Sequence, residues 1–411
     1  MRVRMGLVNV GLAASLLALG ACSADDEAAE STPAKDGAGS ETCENGPGVT
    51  DSTIKIGVTT PLSGPAATTG QAHLAGQQAY VDKVNADGGI HGRQLELVTQ
   101  DDTGDPQKAA ANAQYLIERE GVFALWGNVG SAAASAIQPI AEKADVPLLF
   151  PFALGRTLTE PAQPNTFSIA TPAYLQTRIL SDFLANEPDF ADKKVGLMVI
   201  NSPDGAETAE GFADGASSEN IVSSQTYEPG SPTFKAQLLS FKEAGADFVY
   251  AGINDAQFAK LLTEAEELGM SDVTFYGAVS VVTPAVVELT SAELAEGNLG
   301  GVFVALPDGD AEGLADIETA LDGEKVGTHA VHAWAGGMII AEAIDRAGEC
   351  LNADTLRDAL ESGDAFDTGG LTDEIVFSTD EHLGNASMLQ VEMIDGVWTP
   401  FGDGEFQRFS E

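Results

Sequence analysis

The sequence is short of positive charge. Lys and Arg number 20 against 63 Asp and Glu, a formal net charge of −43 over 411 residues. Binding to nucleic acid needs a basic footprint to meet phosphates, and none is visible. The acidic residues are spread along the chain. They read as a solvated surface that resists aggregation, with an acidic interaction surface or adaptation to high salt as alternatives. Histidine is also scarce. His73, His91, His329, His332 and His382 form no metal-spaced cluster with Cys or Asp, and the pair His329 and His332 reads as one partly exposed helix face. No P-loop is present, and no dinucleotide fingerprint follows a strand. The segment around Ser131 lacks the second glycine of G-x-S-x-G, and no histidine has an evident role beside it. Catalysis therefore has no positive support, and the expectation is a protein that is not an enzyme and carries no cofactor or metal.

What is present is ordinary in bulk and specific at the N-terminus. The chain is 44% hydrophobic and 20% charged, long enough for two or three globular domains. Arg2 and Arg4 precede an apolar run from Leu7 to Gly20, too short for a comfortable membrane span. It ends in Leu19-Gly20-Ala21-Cys22, which is similar to a bacterial lipobox. The expectation is a signal peptide over 1–21, a lipidated Cys22 and an acidic, disordered tether over 22–50. Such a protein is anchored outside the cytoplasmic membrane. In an oxidising compartment the remaining Cys43 and Cys350 suggest a disulfide, the alternative being two free thiols.

From Ser52 the periodicity alternates. "STIKIGVTTP" reads as a strand, and the segment after Gly70 as a helix stopped by Gly88-Gly89. "RQLELVTQDD" is a strand. Asp105 then caps a helix with Pro106 at its first position and Gly121 beyond its end. "VFALW" and "VPLLF" are further strands on either side of a helix opened by Ser131. The pattern restarts after Thr166 and gives a second unit of the same make. The fold class is α/β, with two lobes, each a mainly parallel sheet flanked by helices, and a cleft between them. Ligands of such sheets bind outside the carboxyl ends of the strands.

Three stretches carry a resemblance. They are "IKIGVTTPLSGPAATTGQAHLAGQQAYVDKVNADGGIHGRQLELVTQDDTGDPQKAAANAQYLI", "GVFALWGNVGSAAASAIQPIAEKADVPLLFPFA" and "LTEPAQPNTFSIATP". From about Ile54 to Phe401 the chain resembles the type I periplasmic solute-binding proteins, in the branch that binds leucine, isoleucine and valine for an ABC importer. The resemblance implies a Venus-flytrap with three hinge crossings. They fall near Ala170–Thr171, near Tyr276–Val279 and within 372–389. Lobe 1 is then 51–170 plus 280–371, and lobe 2 is 171–279 plus 372–411. The implied partners are a small amino-acid-like or carboxylate ligand and permease subunits, with the protein a monomer.

The resemblance also implies a site. Gly130 and Ser131, at a helix start, would hold the ligand carboxylate with N–H groups and a hydroxyl. Phe152, Ala153 and Leu154 would offer backbone groups. Leu154 stands where the family has a hydroxyl residue, leaving its N–H for the carboxylate. Val279 stands where the family has the carboxylate that meets the ligand ammonium, and Asp204 could supply that missing charge or cap its own helix. Asn254 lies at a strand's carboxyl end, beside Asp255, which reads as a helix cap. Two other readings of the chain remain at this point. One is a sensory receptor of the same fold, and the other is a secreted hydrolase using Ser131.

Overall fold

The computed structural model describes residues 44–409, apart from 229, 324 and 325. The signal segment, Cys22 and Cys43 lie outside the described residues. The tether expected to run to residue 50 is already docked at its end. Gly46 N–H donates to Leu351 O at 2.8 Å, Asn45 accepts from Leu351 N–H at 3.0 Å, and Val49 pairs with Ile54. Cys350, next to this contact, is disulfide-bonded.

The first sheet holds β1 (Thr53–Thr60), β2 (Gln94–Asp101), β3 (Ala124–Trp126), β4 (Leu148–Leu149) and β5 (Thr166–Phe167), all parallel, in the order β2-β1-β3-β4-β5. Helices α1 (Ala67–Ala86), α2 (Pro106–Tyr115) and α3 (Ser131–Ala144) connect them. The Asp105 carboxylate caps α2 by accepting from Gln107 and Lys108 N–H groups, as the sequence pattern requires. The strand order reverses between β1 and β3, which puts a crevice at their carboxyl ends.

The second sheet repeats the scheme with β6 (Val195–Ile200), β7 (Ile221–Tyr227), β8 (Phe248–Ala251) and β9 (Thr274–Gly277), in the order β7-β6-β8-β9. It is served by α4 (Ala173–Asn186), α5 (Pro203–Ala213), α6 (Lys235–Ala244) and α7 (Asp255–Glu267). The chain then stays with this lobe longer than expected. After the short helices α8 (Ala285–Leu289) and α9 (Ala292–Ala295), β10 (Leu299–Val302) pairs in parallel with β9. The second crossing is therefore beyond Val302 and not at Tyr276–Val279, and 280–302 packs with lobe 2. A four-residue strand between short helices carries no sequence sign of which sheet it joins.

Helices α10 (Glu312–Ala320), α11 (Thr328–Ala347) and α12 (Ala353–Leu360) return to the first lobe, where α11 packs along α1. A Cβ on Gly76 would stand 2.6 Å from Ala330 O, so only glycine lets the two helices approach this closely. The segment after Leu371 also stays in lobe 1. Ser168 pairs with Leu383, and Phe377 and His382 pack on Phe167. The third crossing follows. Then β11 (Ser387–Ile394), β12 (Val397–Pro400) and β13 (Gln407–Arg408) complete the second sheet, β11 antiparallel to β10. The closing hairpin turns at Asp395-Gly396, both at positive φ.

Buried polar atoms tie the crossings together. Thr171, on the first, donates its hydroxyl to Ser387 O at 2.8 Å on the third. Asn385 donates from Nδ2 to Phe303 O at 2.8 Å on the second. Asn385→Ala would leave that carbonyl buried and unpaired, so a loss of about 1–3 kcal/mol is expected in urea unfolding.

A second buried polar contact joins α1 to α11. His73 Nε2 lies 3.2 Å from His332 Nδ1, and both rings are fully buried. His332 is thus core and not an exposed helix face, because that face of α11 meets α1. Burial lowers the His73 pKa to about 3 and that of His332 well below the ordinary value. Both are neutral in the fold, while the unfolded chain takes up protons near pH 6.5. Stability is present above that pH and falls as pH drops toward the folded values. Each histidine is expected to cost up to about 2 kcal/mol between pH 7 and pH 5. Urea midpoints across that range check this, and His332→Gln should flatten the slope.

Candidate functional site

The crevice of the first lobe begins where β3 ends. Phe152 N–H donates to Asn128 O at 2.8 Å, and Gly130 N–H donates to Phe152 O at 3.0 Å. These bonds extend the ladder past both strands and deliver the chain to α3. Gly130, at φ +105°, is the N-cap, and no side chain caps the helix. Ser131 is therefore the first helical residue and leaves the cap position to Gly130, because glycine alone suits that backbone. The N–H groups of the first turn keep no side-chain partner, which leaves the positive end of the helix dipole available to an anion.

Ser131 uses its hydroxyl oxygen to accept from Leu154 N–H at 3.1 Å. That N–H was expected to remain for a carboxylate, and here it is engaged. Leu154 O accepts from Ala173 N–H at 2.8 Å, which binds this loop to the start of α4. Ala153 is buried against Ala134 and Leu158. Phe152 packs its ring among His329, His332 and Phe303.

The second lobe meets this loop with the start of α5. Ser202 caps α5 by accepting from Gly205 N–H at 3.2 Å, so Asp204 is free of the capping role. The point a Cβ on Gly155 would occupy lies 3.7 Å from Ser131 Cβ and 3.8 Å from Asp204 Oδ1. Ser131 and Asp204, from different lobes, therefore converge on one glycine. Next to it, Arg156 N–H donates to Glu207 Oε2 at 3.1 Å, and its guanidinium donates to Glu210 at 2.9 Å while covering the Tyr174 ring. Burial raises the Glu207 carboxyl, the Arg156 N–H and charge oppose that, and the charges of Asp204 and Glu210 add to it.

The other expected residues are placed differently. Asn254, not Asp255, caps α7. It accepts from Gln257 N–H at 2.9 Å in a closed capping box. Val279 is 1% exposed within the apolar core. Sequence reasoning missed Asp255 and His329 as facing groups. Asp255 accepts the Thr283 hydroxyl at 3.0 Å. His329 is half-buried, with its pKa lowered to about 4 by burial and partly restored by the Asp255 charge. The spacing of His329 and His332 was the available signal, and it cannot reveal a partner on another lobe. Among the described residues no group of three His, Cys, Asp or Glu could hold a metal. No helix of the described residues is long and apolar enough to cross a membrane.

A family model for periplasmic binding proteins matches residues 53–397. The chain belongs to the periplasmic binding protein family. It is a binding protein and not an enzyme, and this membership puts it outside the cytoplasm. It is 27% identical over 304 residues to a leucine-, isoleucine-, valine-, threonine- and alanine-binding protein of Pseudomonas aeruginosa, covering 72% of this chain and 79% of that protein. It is 26% identical to a Leu/Ile/Val-binding protein homolog of Brucella melitensis, covering 77% and 85%. Among solved structures, a branched-chain amino acid ABC transporter protein from Thermus thermophilus with bound valine superposes with a TM-score of 0.78 at 21% identity, covering 88% and 98%. A fatty acid ABC transporter substrate-binding protein from Thermomonospora curvata superposes at 0.77 with 22% identity, covering 88% and 95%. These two likenesses show the shared fold.

The Arg156–Glu210 pair joins the lobes of this binding protein at the surface, where such pairs contribute little. Arg156→Ala is expected to lower stability by about 1 kcal/mol or less in urea unfolding, with the difference shrinking in high salt.

Proposed function

We propose that this protein is the lipid-anchored solute receptor of an ABC importer and binds a small amino-acid-like ligand between its lobes. The ligand carboxylate lies at the uncapped start of α3, within reach of the Ser131 hydroxyl proton, which its bond to Leu154 leaves unused. The ligand ammonium meets Asp204. The observation that carries this reading is the convergence of Ser131 and Asp204 across the cleft at Gly155. Opposite charges of a zwitterion would then each meet a complementary group on a different lobe. Binding draws the lobes together, and the closed form docks on the permease. The relatives that bind branched-chain amino acids support the ligand class. Val279, where the resemblance implies a carboxylate, is apolar and buried in the core, which argues against a simple leucine binder. Anchoring through Cys22 would keep the receptor at the outer face of the membrane.

Calorimetry against a panel of amino acids, amides and short organic acids tests this, alongside mass spectrometry of small molecules released from the purified protein. Ser131→Ala is expected to weaken binding about ten-fold, and Asp204→Asn by about ten- to a hundred-fold for ligands with an ammonium group. Binding that ignores Asp204→Asn would show that the ammonium is held elsewhere. A panel with no binder at all would sink the reading.

A further inference from the structure

From the point where Ser131 and Asp204 meet, a row of side chains leads toward a separate groove between the lobes. Phe152, two residues before Leu154, brings its ring to 4.6 Å from His329. His329 lies within range of the Asp255 charge, and the Asp255 carboxylate holds the Thr283 hydroxyl. Thr283 lines a groove of about 550 Å³ between the lobes. Val282 and Trp398 wall it from the second lobe, and Leu306 and Val326 from the first. The Trp398 indole N–H donates to Thr283 O at 3.1 Å, so its ring brings no unmet polar atom to the groove. Val397, at the edge, is 47% exposed, one of few large apolar side chains left so open.

An interdomain cavity of this size, mostly apolar with a few polar groups, has the form of a small-molecule site. A leucine side chain would fill only a corner of it. His329 is uncharged at neutral pH, so it can border an apolar chain without the cost of a buried charge. Asp308 and Glu318 also line the groove, and neither has an ion-pair partner among the described residues. They oppose a second negative charge on the ligand.

We propose that this groove holds an extended apolar tail of the ligand whose head lies between Ser131 and Asp204. The ligand is then a long-chain amphiphile with one polar head and no acidic group at the far end. The direction of the tail rests on the head-site reading given above.

Calorimetric titration with linear 2-amino acids, from norleucine to 2-aminododecanoate, each below its micelle concentration, tests this. Affinity is expected to rise about four-fold per added methylene beyond norleucine. Val397→Glu changes an exposed edge and should weaken 2-aminododecanoate by about ten-fold or more while leaving norleucine unchanged. Affinity that stops rising at norleucine overturns the inference, as does a Val397→Glu variant that binds the longest ligand normally. Unsubstituted fatty acids that bind as tightly, with the same gain per methylene, support the groove and overturn the ammonium reading instead. Absence of binding by every member overturns both.

Discussion

The site depends on the backbone pairing of Phe152 with Asn128 and Gly130. Two N–H···O bonds extend the first sheet beyond its regular strands. They hold Gly130 at φ +105°, from which α3 starts without a side-chain cap. The bond from Leu154 N–H to Ser131 adds a third rung. The same ladder aims Leu154, Gly155 and Arg156 at the second lobe. One short run of pairing therefore sets both the positive end of the site and the place where the lobes touch.

Charge is distributed around that contact by helical spacing. Asp204, Glu207 and Glu210 recur every three residues on α5, so their carboxylates share a face. Arg156 engages the second and third. No basic side chain pairs with Asp204 among the described residues. Its negative charge stands close to the first turn of α3, whose dipole is of opposite sign. A site with both signs so near one another suits a molecule that carries both.

Much of the fold was legible in the sequence because its signals are local. Asp105, Pro106 and Gly121 mark the ends of one helical stretch by their own backbone and capping chemistry. The alternation of strands and helices gives one parallel and one mainly parallel sheet. The misplacements have non-local causes. Nothing within Leu299–Val302 tells which sheet it will join. His73 and His332 are far apart in the chain and meet only once α1 lies on α11. At the candidate site, the strand–turn–helix pattern and the resemblance pointed to Ser131 and the loop at Phe152, and the fold brings these two segments together. The cap went to Gly130 because backbone conformation, not side-chain type, decides it there. Asn254 was drawn into its own helix by a capping box. Arg156 and Glu207 meet across the lobes, so neither stretch hints at the other.

Thr171, Asn385 and Phe303 gather the three crossings at one buried knot. Three separate straps would let the lobes slide, shear or twist independently. Straps fastened at a single point leave a pivot. About such a pivot the second lobe would turn as one body, so a change at the cleft would be carried to its outer surface, and a partner touching only that surface would sense it.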